Sequence, residues 1–247
     1  MKLLPVADHF LVAGNLFKLL KMNGMRLITL LFFLIIFQYL PGIAQTKAER
    51  DTAYTKTITE RAAKIVAPLG ISNPEIALKV RDIIMQQYFS LNEIHTAKDI
   101  QLKLAKALKE TNKAQAEELT KNAENEADAK LYKLHFDYLS KLMLYLDEKQ
   151  VAQVKDGMTY GVLPITYKGY CDMVLGLTDD QKRQIEVWLI EAREHAMDAG
   201  TSDEKHKWFG KYKGRINNYL SAAGYDMKKE GDEWQKRIKE AKEREAK

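Results

Sequence analysis

The sequence predicts an all-α protein, a multi-helix antiparallel bundle that follows a cleaved N-terminal signal peptide. Three observations lead there. Apolar residues recur three and four positions apart nearly everywhere after Gln45. Proline and glycine are few and fall between these periodic segments. The strict apolar–polar alternation of a half-buried strand is absent.

The leader has the order expected of a signal peptide. Lys18, Lys21 and Arg26 precede an apolar run at residues 27–37, and Pro41-Gly42-Ile43-Ala44 supplies small residues before the cut. Cleavage is expected after Ala44, giving a signal peptide over 1–44 and a single helical domain over 45–247. Met22 and Met25 are alternative starts, and an uncleaved signal anchor is the competing reading because residues 6–20 are also rich in apolar side chains. No later segment has the apolar length of a transmembrane helix, so the expected location is periplasmic or secreted, without stable membrane insertion after cleavage. Cys171 is the single cysteine, which excludes a disulfide framework. It has no histidine beside it in sequence and reads as a buried, inert thiol.

The chain of 247 residues is 46% hydrophobic and 30% charged, enough for a sizeable core. Residues 1–44 hold four of its 39 basic and one of its 34 acidic residues, so the remainder carries about +2. Such a balance gives no reason to expect nucleic acid as a partner.

The helices follow in order. The first is expected over 47–66, stopped by Pro68-Leu69-Gly70. The next starts at Asn73 with Pro74 in its first position and turns Ile76, Val80, Ile83, Ile84, Tyr88 and Leu91 toward a core. Helical spacing continues over 97–145. Residues 112–130 are nearly free of large apolar side chains and are expected to protrude as the polar tip of a hairpin. Leu131, Leu134, Tyr138, Leu142 and Tyr145 then return to the core, with His135 as a satisfied boundary histidine.

Leu146 to Val154 is echoed at Leu177 to Ile185, and each copy reads as a helix start. Thr178 and Gln181 have capping-box spacing, as do Thr201 and Glu204 after the break at Gly200. A tight helical hairpin is therefore expected at Gly200. A helix over 202–223 ends at Gly224, and a charged terminal helix over 226–245 carries Trp234 and Ile238 as packing anchors.

The common catalytic signatures are missing, and nothing calls for a cofactor or a metal. Glu191, Glu194, His195 and Asp198 lie within two helical turns and could form half of an acid–base or metal site, or simply a solvated face beside Arg193. The unusual stretch is 205–219, with five Lys or Arg and no acid, interleaved with Trp208, Phe209, Tyr212 and Tyr219. Helical spacing puts Phe209, Ile216 and Leu220 in the core and aligns Trp208, Tyr212, Arg215 and Tyr219 in a second stripe. Aromatic faces beside guanidinium and amide groups suit a sugar ring and a carboxylate. The candidate ligand-binding residues are Arg193, His195, Asp198, His206, Trp208, Lys211, Tyr212, Arg215, Asn217 and Asn218. Gly210 and Gly214 each cost about 1 kcal/mol inside a helix, and close approach of a helix or a ligand would offset that.

Three segments, Val154-Lys-Asp-Gly-Met-Thr-Tyr160, Glu191-Ala-Arg-Glu-His-Ala-Met-Asp-Ala-Gly200 and Phe209-Gly-Lys-Tyr-Lys-Gly-Arg-Ile-Asn-Asn-Tyr-Leu220, resemble a domain-of-unknown-function family. It comprises exported helical proteins from Bacteroides-type bacteria and is described as sugar-binding. The resemblance covers about Asp51 to Trp234 and implies export and a helical class; it brings no catalytic residues. Three functions remain open on sequence. The first is an exported carbohydrate-binding accessory protein, with acidic glycans as the expected partner. The others are an enzyme acting on an acidic polysaccharide and a non-catalytic helical partner-binding protein.

Overall fold

The computed structural model describes residues 52–245, which are all-helical with no strand. The signal peptide, its cleavage after Ala44 and the start of the first helix lie outside the described residues. The chain divides into two units, 1–57 and 58–247. Of the first, residues 52–57 are described and are helical. The second holds the rest of that helix, α1 (52–66), a 3-10 turn Ala67–Leu69, and seven further helices. These are α2 (Pro74–Leu108), α3 (Lys113–Met143), α4 (Glu148–Met158), α5 (Val162–Met173), α6 (Asp179–Met197), α7 (Ser202–Ala222) and α8 (Met227–Glu245). None of the helices in the described residues is long and apolar enough to cross a membrane.

The predicted punctuation is present. Gly70 closes the 3-10 turn at φ 68°, and the Asn73 side chain accepts from the Glu75 N–H at 2.9 Å to start α2. Three reciprocal capping boxes, Asp147 with Gln150, Thr178 with Gln181 and Thr201 with Glu204, start α4, α6 and α7. Each satisfies backbone N–H groups that the first turn leaves unpaired, a contribution of about 1 kcal/mol per cap. Arg237 of α8 closes the far end of α5 by donating to the carbonyls of Asp172 and Met173, both at 2.9 Å.

Two hydrophobic clusters organise the second unit. One joins Ala62 and Ile65 of α1 with Val80, Ile84, Tyr138, Leu142, Val154 and Met158. The other joins Tyr170 of α5 with Ile185, Leu189, Ala192, Phe209, Ile216 and Leu220. Helix α6 belongs to both, because Met197 at its last turn enters the first cluster while its earlier turns build the second.

The turn of the α2–α3 hairpin falls at 109–112. Residues 113–130 form the first part of α3, most of them exposed. Ala116, Ala123 and Ala127 are buried there, with Ala105 buried on α2. Small side chains let two helix backbones approach closely, so a stretch without large apolar residues still packs.

Glycines 200 and 210 make opposite demands. A Cβ on Gly200 would lie 2.8 Å from Cγ of His95, whereas Gly210 and Gly214 face open space. Among the described residues no helix approaches either glycine closely enough to offset its cost, contrary to the first of the two expectations. Gly210→Ala should therefore raise the unfolding free energy by up to about 1 kcal/mol, and Gly200→Ala should lower it by about 1–3 kcal/mol. Urea denaturation of both variants checks this, and equal effects would contradict the packing described at Gly200.

Candidate functional site: a basic and aromatic cleft at the α6–α7 turn

The site is built on the turn that joins α6 to α7. At its centre is Asp198, the C-cap of α6. Its backbone carbonyl faces His95 Nε2 of α2 at 2.7 Å. A carbonyl only accepts, so that nitrogen carries the proton. The Asp198 carboxylate takes His135 of α3 through Oδ2, 2.8 Å from Nδ1. Lys205 of α7, buried, donates to the carbonyls of Ala196 and Met197 at 2.8 and 3.0 Å, closing the last turn of α6. Burial pulls its ammonium down to about 8.

His135 sits between two acids, since its Nε2 lies 3.5 Å from Glu194, which also receives Lys155 at 2.8 Å. Both ring nitrogens face carboxylates, an arrangement that only the imidazolium can satisfy as a double donor. The hydrogen bond that His135 donates to Asp198 raises the His135 pKa above its ordinary value against the opposing effect of burial.

Between this turn and the α2–α3 hairpin lies an open cleft of about 680 Å³, within the range of small-molecule sites. Trp208, Tyr132 and His195 supply ring surface, and Lys98, Lys207 and Lys211 supply positive charge. Trp208 is half-buried with His195 stacked on it at 4.3 Å and 11° between ring planes, and the Lys211 ammonium lies 5.0 Å from its centroid. None of the three lysines has an ion pair among the described residues.

The acids of the cleft are mostly committed to the fold. Asp198 holds His135, and Glu204 accepts from the Gly200 and Thr201 N–H groups at 3.0 and 3.1 Å. Burial works against ionisation of Glu204, but the Thr201 backbone bond and the neighbouring His95 and Lys98 charges outweigh it and keep the carboxyl below its ordinary value. Asp128 is the lining acid without a partner among the described residues. The cleft therefore offers lysines without ion pairs among the described residues beside aromatic faces.

The structure brings four of the ten sequence candidates together and scatters the other six. His195, Asp198, Trp208 and Lys211 line the cleft. Arg193 does not: it is buried and pairs with Asp156 of α4 at 2.8 Å. Tyr212 joins the core with Phe209 and Ile216, so its ring is no stacking platform. Burial, then a hydrogen bond to Glu191, pushes its hydroxyl up to about 12. Arg215 lies further along the α6–α7 seam, over Trp188. His206 and Asn217 occupy the opposite flank of α7. There His206 stacks at 5.7 Å on Tyr160, which has φ 60°, and Asn217 accepts from the Tyr170 hydroxyl at 2.7 Å. Asn218 is exposed away from the cleft.

Sequence reasoning missed His95, Lys98, Asp128 and Tyr132, which come from the α2–α3 hairpin. The only local signal was Tyr132, a large ring left 70% exposed just where apolar spacing resumes. The half metal site read into α6 is not completed, since no group of three or more potential metal ligands occurs among the described residues.

Fold and site together define an all-helical protein with a cationic, aromatic cleft between two helical hairpins. The family described as "Protein of unknown function (DUF3826)" matches residues 55–240, most of the chain, and the chain belongs to it. Comparison with curated proteins gives no match.

The His135 clamp makes stability depend on pH. Its folded pKa is raised, so its contribution is fully present below about pH 6.5, the unfolded value, and disappears as the pH rises through the higher folded value. The urea midpoint of wild type should exceed that of His135→Ala by a margin that shrinks on going from pH 6 toward pH 9. A margin independent of pH would show that His135 acts without titrating.

Proposed function

We propose that the protein is an exported carbohydrate-binding accessory protein, an antiparallel helical bundle released by its signal peptide, and that the cleft beside Trp208 receives an acidic sugar. One observation carries this reading: Lys98, Lys207 and Lys211 surround ring surface in a cleft whose acids, Asp128 apart, are bonded within the fold. The apolar face of a pyranose packs on aromatic surface, here the exposed Tyr132 ring and the part of Trp208 that His195 leaves uncovered. An ammonium row selects a carboxylate or sulfate on the same sugar. Trp208 is held from behind by the α5–α7 cluster, so little side-chain freedom is lost when a ligand covers it.

A second reading, an enzyme acting on an acidic polysaccharide, is favoured by Asp198, which lines the cleft and hydrogen-bonds His135. Release of products from a polysaccharide by purified protein separates the two.

Calorimetry with uronate-containing and neutral oligosaccharides tests the main reading. The uronate ligand should bind more tightly and lose affinity as salt rises. Trp208→Ala should weaken it about tenfold or more and Lys211→Ala about fivefold, with both folds verified by circular dichroism. Equal affinity in wild type and both variants removes the cleft as the site.

A further inference from the structure

We propose that α6 and α7 carry a second anion-binding subsite at Arg215, so that the ligand is an extended acidic glycan chain rather than a single acidic sugar. This rests on the reading of the cleft given above and adds to it the length of the ligand.

Lys207, Lys211 and Arg215 follow one another at four-residue steps along α7, about 6 Å per step along the axis. The row starts in the cleft and leaves it along the α6–α7 seam. At its far end the Arg215 guanidinium carbon lies 4.6 Å from the Trp188 ring centroid. Trp188 is itself set edge-on against Tyr219 at 5.2 Å and 88°, and both rings pack on the core beneath. A guanidinium lying over a fixed indole has its plane set, so its donors point outward as a fork suited to a carboxylate or sulfate.

That fork is open. Arg215 makes no hydrogen bond among the described residues, and its one ion pair, with Glu191, is long at 3.6 Å. The two side chains are 55% and 47% exposed, and an exposed pair of this kind contributes little and gives way readily. Seven residues separate Trp208 from Arg215, or about 10 Å along the axis, too far for one sugar ring to touch both. The intervening seam presents His195 on Trp208 and the Glu191 carboxylate. An acceptor between two cations suits a chain with hydroxyl donors between its charges. It works against a phosphodiester chain, whose backbone offers no such donors in DNA.

The experiment compares galacturonate monomer, dimer and hexamer as probes on the full mature chain, with a single-stranded oligonucleotide of matched charge as control. Wild type should bind the hexamer at least about tenfold more tightly than the monomer, with a steeper salt dependence. Arg215→Gln should abolish most of that gain while leaving monomer affinity within about twofold. Trp188→Phe, which keeps a packed ring, should reduce the gain partway. Equal affinity for monomer and hexamer, or an undiminished gain in Arg215→Gln, overturns the second subsite and leaves the cleft reading standing. Failure of all three galacturonates to bind overturns both. Tighter binding of the oligonucleotide than of the hexamer overturns the assignment of the seam to a glycan.

Discussion

Asp198 ties together the four helices that bound the cleft. Its carbonyl receives His95 of α2, its carboxylate receives His135 of α3, and the carbonyls just before it are closed by Lys205 of α7. Hydrogen bonds to charged groups contribute about 1.5–3 kcal/mol each, whereas exposed ion pairs contribute about 0–1 kcal/mol. The few bonds at this residue therefore outweigh the many i,i+4 pairs on the helix surfaces in fixing where the hairpins sit. Gly200 is part of the same arrangement, because only a residue without a side chain lets the His95 ring come so close. The second oxygen of the Asp198 carboxylate is buried without a hydrogen bond among the described residues, a cost of about 1–3 kcal/mol in general that the rest of the junction must offset.

The chemistry of the cleft follows from this use of acids in construction. Asp198 and Glu204 are bonded to a histidine and to backbone N–H groups, so their charges are partly neutralised where they stand. Lys98, Lys207 and Lys211 form no ion pair among the described residues and remain available to solvent or ligand. A nearly neutral chain thereby gathers three lysines without ion pairs among the described residues around one cleft, which overall composition could not reveal. Aromatic packing follows the same logic: Trp208 and Trp188 each press one side on the core cluster while a cation lies over the ring.

Local features were the most legible in the sequence. Asn73-Pro74, the pair of echoing helix starts and the Thr201–Glu204 box each depend on residues within four positions of one another, and each forms as its spacing implies. The core face of α7 was equally legible for Phe209, Ile216 and Leu220. Less legible was how a continuous basic and aromatic stretch divides around a helix. At about 100° per residue, neighbours in sequence face different partners, and Tyr212 turned with the core rather than with Trp208. The opposite wall was out of reach, because His95 and His135 meet Asp198 across 103 and 63 residues.

The claim on which this account stands is that the space held open by Asp198 is where ligand binds. A crystal structure of the protein grown with a galacturonate dimer tests it most directly. The account predicts a sugar ring against Trp208, with its carboxylate within hydrogen-bonding reach of at least one of Lys98, Lys207 and Lys211. A ligand bound elsewhere on the molecule while this cleft stays empty would contradict it.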